Sequence, residues 1–174
     1  KIDRNKTKMS LPFQDEWTIV WGGDTKELNY HVENNAQKNA FDILIINKKG
    51  NSYKTDGKAN EDFYAFGKQL FAPCDGEVVL VIDGVKDNKI GEMNSVDVGG
   101  NTVIIKTINN EFAVFYHFKN NSILVKNGQQ VKQGQILGQC GNSGHSSEPH
   151  LHFHLQNGID MSTATGIKCY FDKL

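Results

Sequence analysis

A mainly β protein, folded as an antiparallel sandwich, is what the residue pattern of this 174-residue chain predicts. β-forming runs of strand length recur along it, among them Trp17-Thr18-Ile19-Val20-Trp21, Glu77-Val78-Val79-Leu80-Val81-Ile82 and Thr102-Val103-Ile104-Ile105. Clusters of Gly and Asn punctuate these runs, and no stretch keeps a helical period for more than two turns. Short strands alternating with tight turns are the signature of sheets packed face to face.

The elements follow in order. Residues 1–14 are polar and lysine-rich, broken by Pro12, and read as a mobile or loosely docked lead-in. Trp17 to Trp21 is a strand that ends at Gly22-Gly23. After Asn29-Tyr30-His31-Val32 and a polar stretch, Asp42 stands at the entrance to the apolar run Ile43-Leu44-Ile45-Ile46, where an ionised carboxylate needs a partner. Residues 48–61 form a loop without periodicity, and 62–71 carry four aromatics and lean towards an extended form. Ala72-Pro73-Cys74-Asp75-Gly76 is a turn leading into the strand at 77–82. Asp97-Val98-Gly99-Gly100-Asn101 reads as a tight reversal. Two strands at 102–107 and 111–118 form a hairpin about Asn109-Asn110, because Asn tolerates positive φ. The motif K-x-G-Q then occurs twice at a six-residue offset, in Lys126-Asn127-Gly128-Gln129 and Lys132-Gln133-Gly134-Gln135, as successive turns between short strands. Tyr170-Phe171 suggests a last strand.

Ser147 to Gln156 carries most of the chemistry. Three of the chain's six histidines alternate there with apolar residues in Pro149-His150-Leu151-His152-Phe153-His154-Leu155. On a β-strand His150, His152 and His154 share one face, and Leu151, Phe153 and Leu155 share the other. Imidazoles in a row gain little from packing, and a metal is the usual reason to line them up. An expression tag would sit at a terminus without interleaved Leu and Phe.

Bulk properties set outer limits. A hydrophobic fraction of 38% and a charged fraction of 22% describe an ordinary soluble globular protein of one domain, with or without extensions. The net charge of -1 argues against nucleic acid as a partner. No apolar run approaches the roughly 20 residues that cross a bilayer. The chain starts at Lys1 rather than Met, so the lack of a leader says little about compartment. Cys74, Cys140 and Cys169 make neither a disulfide framework nor a CxxC site; one bridge plus a free thiol, or three buried thiols, both fit.

Several segments together resemble the lysostaphin-type, or LytM-like, zinc endopeptidases. They are Ala72-Pro73-Cys74-Asp75-Gly76-Glu77-Val78, Gly100-Asn101-Thr102-Val103-Ile104-Ile105, Tyr116-His117, Val131 to Gly138, Gly141-Asn142-Ser143-Gly144 and Pro149-His150-Leu151-His152-Phe153, and they occur in that family's order. The likeness covers about residues 29–156. It implies a duplicated-hybrid-motif β-sandwich, shared with glucose-permease phosphocarrier domains. It also implies a division into a zinc peptidase domain at 29–156, an N-terminal extension at 1–28 and a C-terminal extension at 157–174. Further, it implies one Zn2+ held by His31, Asp42 and His152, with His117 and His150 as catalytic histidines that do not bind the metal. Its substrate would be bacterial cell-wall peptidoglycan, and its location extracytoplasmic. Two departures stand out. The family's His-Asp motif is commonly H-x-x-x-D, whereas ten residues separate His31 from Asp42. The position two after the ligand histidine is often acidic, whereas here it is His154, which could support the site, face a neighbour harmlessly or compete as a ligand.

Two histidines and a carboxylate are a common open zinc set that leaves a position for water or a substrate carbonyl. Peptide hydrolysis also needs a proton taken from water, a stabilised oxyanion and a proton given to the leaving amine, jobs that suit His117 and His150. His145, in a glycine-serine loop, is expected at the rim. Trp21, Tyr30 and Tyr116 fit either a substrate groove or ordinary packing. The rival readings are a degenerate relative that binds cell wall or a protein partner, and a phosphocarrier domain that would leave Asp42 and the third histidine unexplained.

Overall fold

A computed structural model describes residues 4–172. It is almost entirely antiparallel β, with no α-helix among the described residues. The main sheet runs β1 (Thr18–Trp21), β2 (Phe41–Leu44), β9 (Leu151–Gln156), β6 (Phe112–Phe118), β5 (Asn101–Lys106), β4 (Gly76–Ile82) and β7 (Gln130–Val131). The two-residue β10 (Gly166–Ile167) also pairs with β9. A second sheet of β3 (Gln69–Phe71) and β8 (Ile136–Gln139) lies over one face of the first. Leu70 and Leu137 from the small sheet share one apolar cluster with Val78, Val103, Ile105, Phe115, Leu151, Phe153 and Leu155 from the large one. The mainly antiparallel two-layer β architecture expected from the sequence is therefore present.

The alternation that builds this core also creates the other face. On β9, Leu151, Phe153 and Leu155 enter the cluster, so His152, His154 and Gln156 point away from it, beside Val114 and Tyr116 of β6. Register then sets a row across three strands, with Asp42 opposite His152 and His152 opposite Tyr116.

Turn residues do what their chemistry requires. Asn110 closes the β5–β6 hairpin at φ 56°, and Gly128 and Gly134 of the K-x-G-Q repeat both sit at φ 82°. Gly100 takes φ 59° in the reversal before β5, with its N–H on the Asp97 carbonyl at 2.9 Å.

Three local expectations change. Residues 1–3 lie outside the described residues, but the rest of the lead-in is docked rather than loose. Met9 is fully buried in the main cluster, and the Lys6 and Thr7 amides donate to the buried Glu111 carboxylate at 2.6 and 3.0 Å. Tyr170-Phe171 is not a strand; the last ladder forms at β10, while Phe171 packs on Phe41 and Phe153. The 62–71 segment is extended only from Gln69, because a 3-10 turn at Asn60–Asp62 and local turns precede it. Cys74, Cys140 and Cys169 are all free and buried, and burial raises the Cys74 thiol pKa to about 12.

Candidate metal centre

Asp42 is the hub of the site. It is buried at 6% exposure on β2, next to the edge strand β1. One carboxylate oxygen lies 2.9 Å from His31 Nε2 and the other lies 3.0 Å from His152 Nδ1. His150 Nε2 is 3.6 Å from the second oxygen, and the Tyr30 hydroxyl donates to the first at 3.3 Å. Burial works against the Asp42 charge, but the neighbouring imidazoles of His150, His152 and His31 outweigh it and hold the carboxyl well below the usual range.

The ten residues between His31 and Asp42 close through short turns. His31 lies in a 3-10 turn, Tyr30–Glu33. Three i→i+3 hydrogen bonds follow, from Asn34 N to His31 O, Gln37 N to Asn34 O and Ala40 N to Gln37 O, and they walk the chain back to β2. Asn29, fully buried, fastens both ends of this excursion. Its Oδ1 accepts from the His31 amide at 3.2 Å, and its Nδ2 donates to the carbonyls of Gly23 at 3.1 Å and Ala40 at 3.0 Å. Asn29 escaped the sequence reading, although an Asn two residues ahead of a candidate ligand is a capping signal.

His117 reaches the same pocket by breaking the strand's alternation. It adopts φ 66°, so both Tyr116 and His117 line the cleft shared with His31 and His152. Its Nδ1–H donates to the Ser143 carbonyl at 2.7 Å, which leaves Nε2 for the cleft. His150 is held in the same manner, with Nδ1–H donated to the Glu148 carbonyl at 2.9 Å and Ser146 Oγ at 3.1 Å. The two imidazoles face one another with ring centroids 4.8 Å apart. Burial, followed by the neighbouring His150 and His152, pushes the His117 pKa well down. Burial also acts to lower the His150 pKa, but the Asp42 carboxylate and the Glu148 carbonyl reverse it and leave the value raised.

Clefts of about 240 and 330 Å3 flank these groups. Val20, Trp21, Tyr30, Leu44 and Met93 line the first, with Trp21 edge-on to Tyr30 at 5.4 Å. His145 borders both clefts, at the rim as expected. Tyr116 instead stacks on the His152 ring at 4.9 Å and 22°.

The five candidate ligand and catalytic positions, His31, Asp42, His117, His150 and His152, thus converge. Among the described residues His31, Asp42 and His152 form one group whose ligand atoms all lie within 4.8 Å of one another. Tetrahedral zinc with bonds of about 2.0–2.1 Å places neighbouring donors about 3.3 Å apart, near the 2.9 and 3.0 Å at which the His31 and His152 nitrogens each approach one of the two Asp42 oxygens. Two imidazole nitrogens and a carboxylate are also the donor types zinc takes, so the residues present fit the ion.

The sequence pattern of peptidase family M23 matches residues 59–164 of the chain, more than half its length. The protein belongs to peptidase family M23. The match takes in His117, His150 and His152 but begins after His31 and Asp42, which the geometry above brings to them. Among curated relatives, the peptidoglycan DD-endopeptidase ShyC of Vibrio cholerae is 30% identical over 145 residues, covering 79% of this chain and 32% of that protein. The glycyl-glycine endopeptidase ALE-1 of Staphylococcus capitis is 33% identical over 84 residues, covering 48% of this chain and 23% of that one. The chain thus spans a third or less of either relative. The crystal structure of a zinc-containing peptidase from Vibrio cholerae superposes with a TM-score of 0.56 at 17% identity, over 97% of this chain and 41% of that one, a likeness of fold.

Proposed function

We propose that this M23 member is a zinc-dependent endopeptidase that hydrolyses peptide bonds in bacterial peptidoglycan, and that it works outside the cytoplasm. One observation carries the reading. A three-ligand group of His31, Asp42 and His152 stands beside two further histidines, His117 and His150, whose Nδ1 atoms are tied to backbone carbonyls so that Nε2 is the atom each turns towards the centre. The names of relatives such as ShyC and ALE-1 supply the substrate class. The catalytic unit is residues 29–156, with 1–28 and 157–174 as extensions.

In this reading His31, Asp42 and His152 hold one Zn2+. Bound there, zinc supplies a Lewis acid that activates water and polarises the scissile carbonyl. His117 and His150 divide the proton transfers. One takes the proton of the attacking water at Nε2, and the other presents N–H to the carbonyl oxygen as it becomes an oxyanion. Their Nδ1 hydrogens are committed to the Ser143 and Glu148 carbonyls, so each ring is held with its Nε2 edge towards substrate. Trp21 and Tyr30 border the cleft that receives an extended peptide. The test is a metal titration of the chelator-stripped protein: about one zinc per chain is expected, and none after Asp42→Ala or His152→Ala. Unchanged zinc in both variants would overturn the ligand set.

A further inference from the structure

His152, the ligand at the centre of the strand row, has a second nitrogen, and a buried relay leads away from it. His152 Nε2 lies 2.9 Å from His154 Nδ1, and His154 Nε2 lies 2.7 Å from Gln156 Oε1. The Gln156 amide nitrogen then reaches the carbonyls of Gly158 at 2.8 Å and Ile159 at 3.3 Å. His154 and Gln156 are fully buried and His152 is 2% exposed.

The direction of the relay is set at its far end. The Gly158 and Ile159 carbonyls only accept, so the Gln156 NH2 must face them and Oε1 must face His154. An amide oxygen only accepts, so His154 carries its hydrogen on Nε2 and a lone pair on Nδ1. That lone pair accepts from His152 only if His152 carries a hydrogen on Nε2. Nδ1 is then left as the atom of His152 that can offer a lone pair to a metal beside Asp42.

We propose that His154 and Gln156 are positioning residues for the metal centre, fixing the tautomer and ring orientation of His152. The inference rests on the reading above that His152 binds zinc through Nδ1. Of the possibilities the sequence left open for His154, it takes support of the site over competition for the metal. Both His154 nitrogens are engaged in the relay, and the residue stands behind His152, away from Asp42. Such outer partners typically set metal affinity by about 10- to 100-fold.

The test uses wild type and three variants, His154→Phe, Gln156→Met and His154→Gln, with two readouts. Competition against a chromophoric chelator gives zinc affinity, and 15N NMR of metal-free protein shows which His152 nitrogen carries hydrogen. His154→Phe and Gln156→Met should weaken zinc binding about 10- to 100-fold and remove the uniform Nε2–H signal. His154→Gln, whose amide can accept from His152 and donate to Gln156, should bind zinc nearly as wild type does. A folded His154→Phe or Gln156→Met with wild-type affinity and an unchanged His152 signal would overturn the proposal. So would a wild-type His152 lacking hydrogen on Nε2, a result that needs no variant to fold. If wild type binds no zinc, the metal reading itself has failed, and the NMR signal still decides whether the relay exists.

Discussion

Four backbone groups bond to the Asn29 side chain: the His31 amide and the carbonyls of Gly23, Lys38 and Ala40. Truncating it leaves buried polar groups unsatisfied, at about 1–3 kcal/mol each when nothing replaces the bond. Asn29→Ala should therefore lower stability by about 2 kcal/mol or more in urea denaturation, and weaken zinc binding because the His31 turn loses its anchor. The two histidines proposed as catalytic should respond differently. His117→Ala and His150→Ala should each keep about one zinc per chain while turnover falls by roughly 10²- to 10⁴-fold. Metal analysis beside a peptidoglycan assay separates the two effects, and loss of zinc in either variant would contradict the division of roles. The types and positions of these side chains were legible in the sequence. The means of holding them was not. Nothing in Tyr116-His117 announces the left-handed φ of 66° that turns His117 into the cleft, because that conformation is imposed by contacts distant in the chain. One such contact joins the His117 amide to the Gly99 carbonyl at 2.9 Å.

The Ser143 loop is fitted to the reversal before β5 with no room to spare. A Cβ on Gly100 would lie 2.5 Å from the Ser143 carbonyl carbon, and one on Gly144 would lie 2.4 Å from the Gly100 nitrogen. Both glycines also have positive φ, at 59° and 80°. Gly144→Ala should thus push the loop away and carry off the Ser143 carbonyl that holds His117 Nδ1–H. A melting temperature lowered by several degrees, with activity lost beyond what unfolding explains, is expected; calorimetry beside a turnover assay checks it. Strand identity was readable because alternation in β9 and the apolar runs in β4 and β5 repeat over four or more residues. The excursion between His31 and Asp42 was not readable as structure. It is built of single 3-10 turns, each too short to show a period.

Across the whole molecule the core and the site occupy opposite faces of one sheet, meeting at β9. Removing zinc should therefore leave the β fold intact by far-UV circular dichroism. Restoring it at 100 times its dissociation constant should add about 2.7 kcal/mol of stability by mass action alone. The segment before β1 belongs to the same packing, since Met9 is fully buried in the main cluster. Met9→Ala should cost about 2–5 kcal/mol, measured by chemical denaturation; a change near zero would mean that the segment is docked without supporting the core. Composition concealed this role, because in a polar, lysine-rich stretch the buried Asn5, Met9 and Ser10 follow no periodic pattern.

The central claim is that His31, Asp42 and His152 hold a metal with which His117 and His150 cut peptidoglycan peptides. Its most direct test is mass spectrometry of fragments released from purified peptidoglycan by the protein as isolated, after chelation, and after zinc is restored. Peptide fragments that vanish with the chelator and return with zinc are the predicted result, and their masses identify the bond. Fragments that persist unchanged in chelator, or no fragments from protein carrying one zinc per chain, would contradict it.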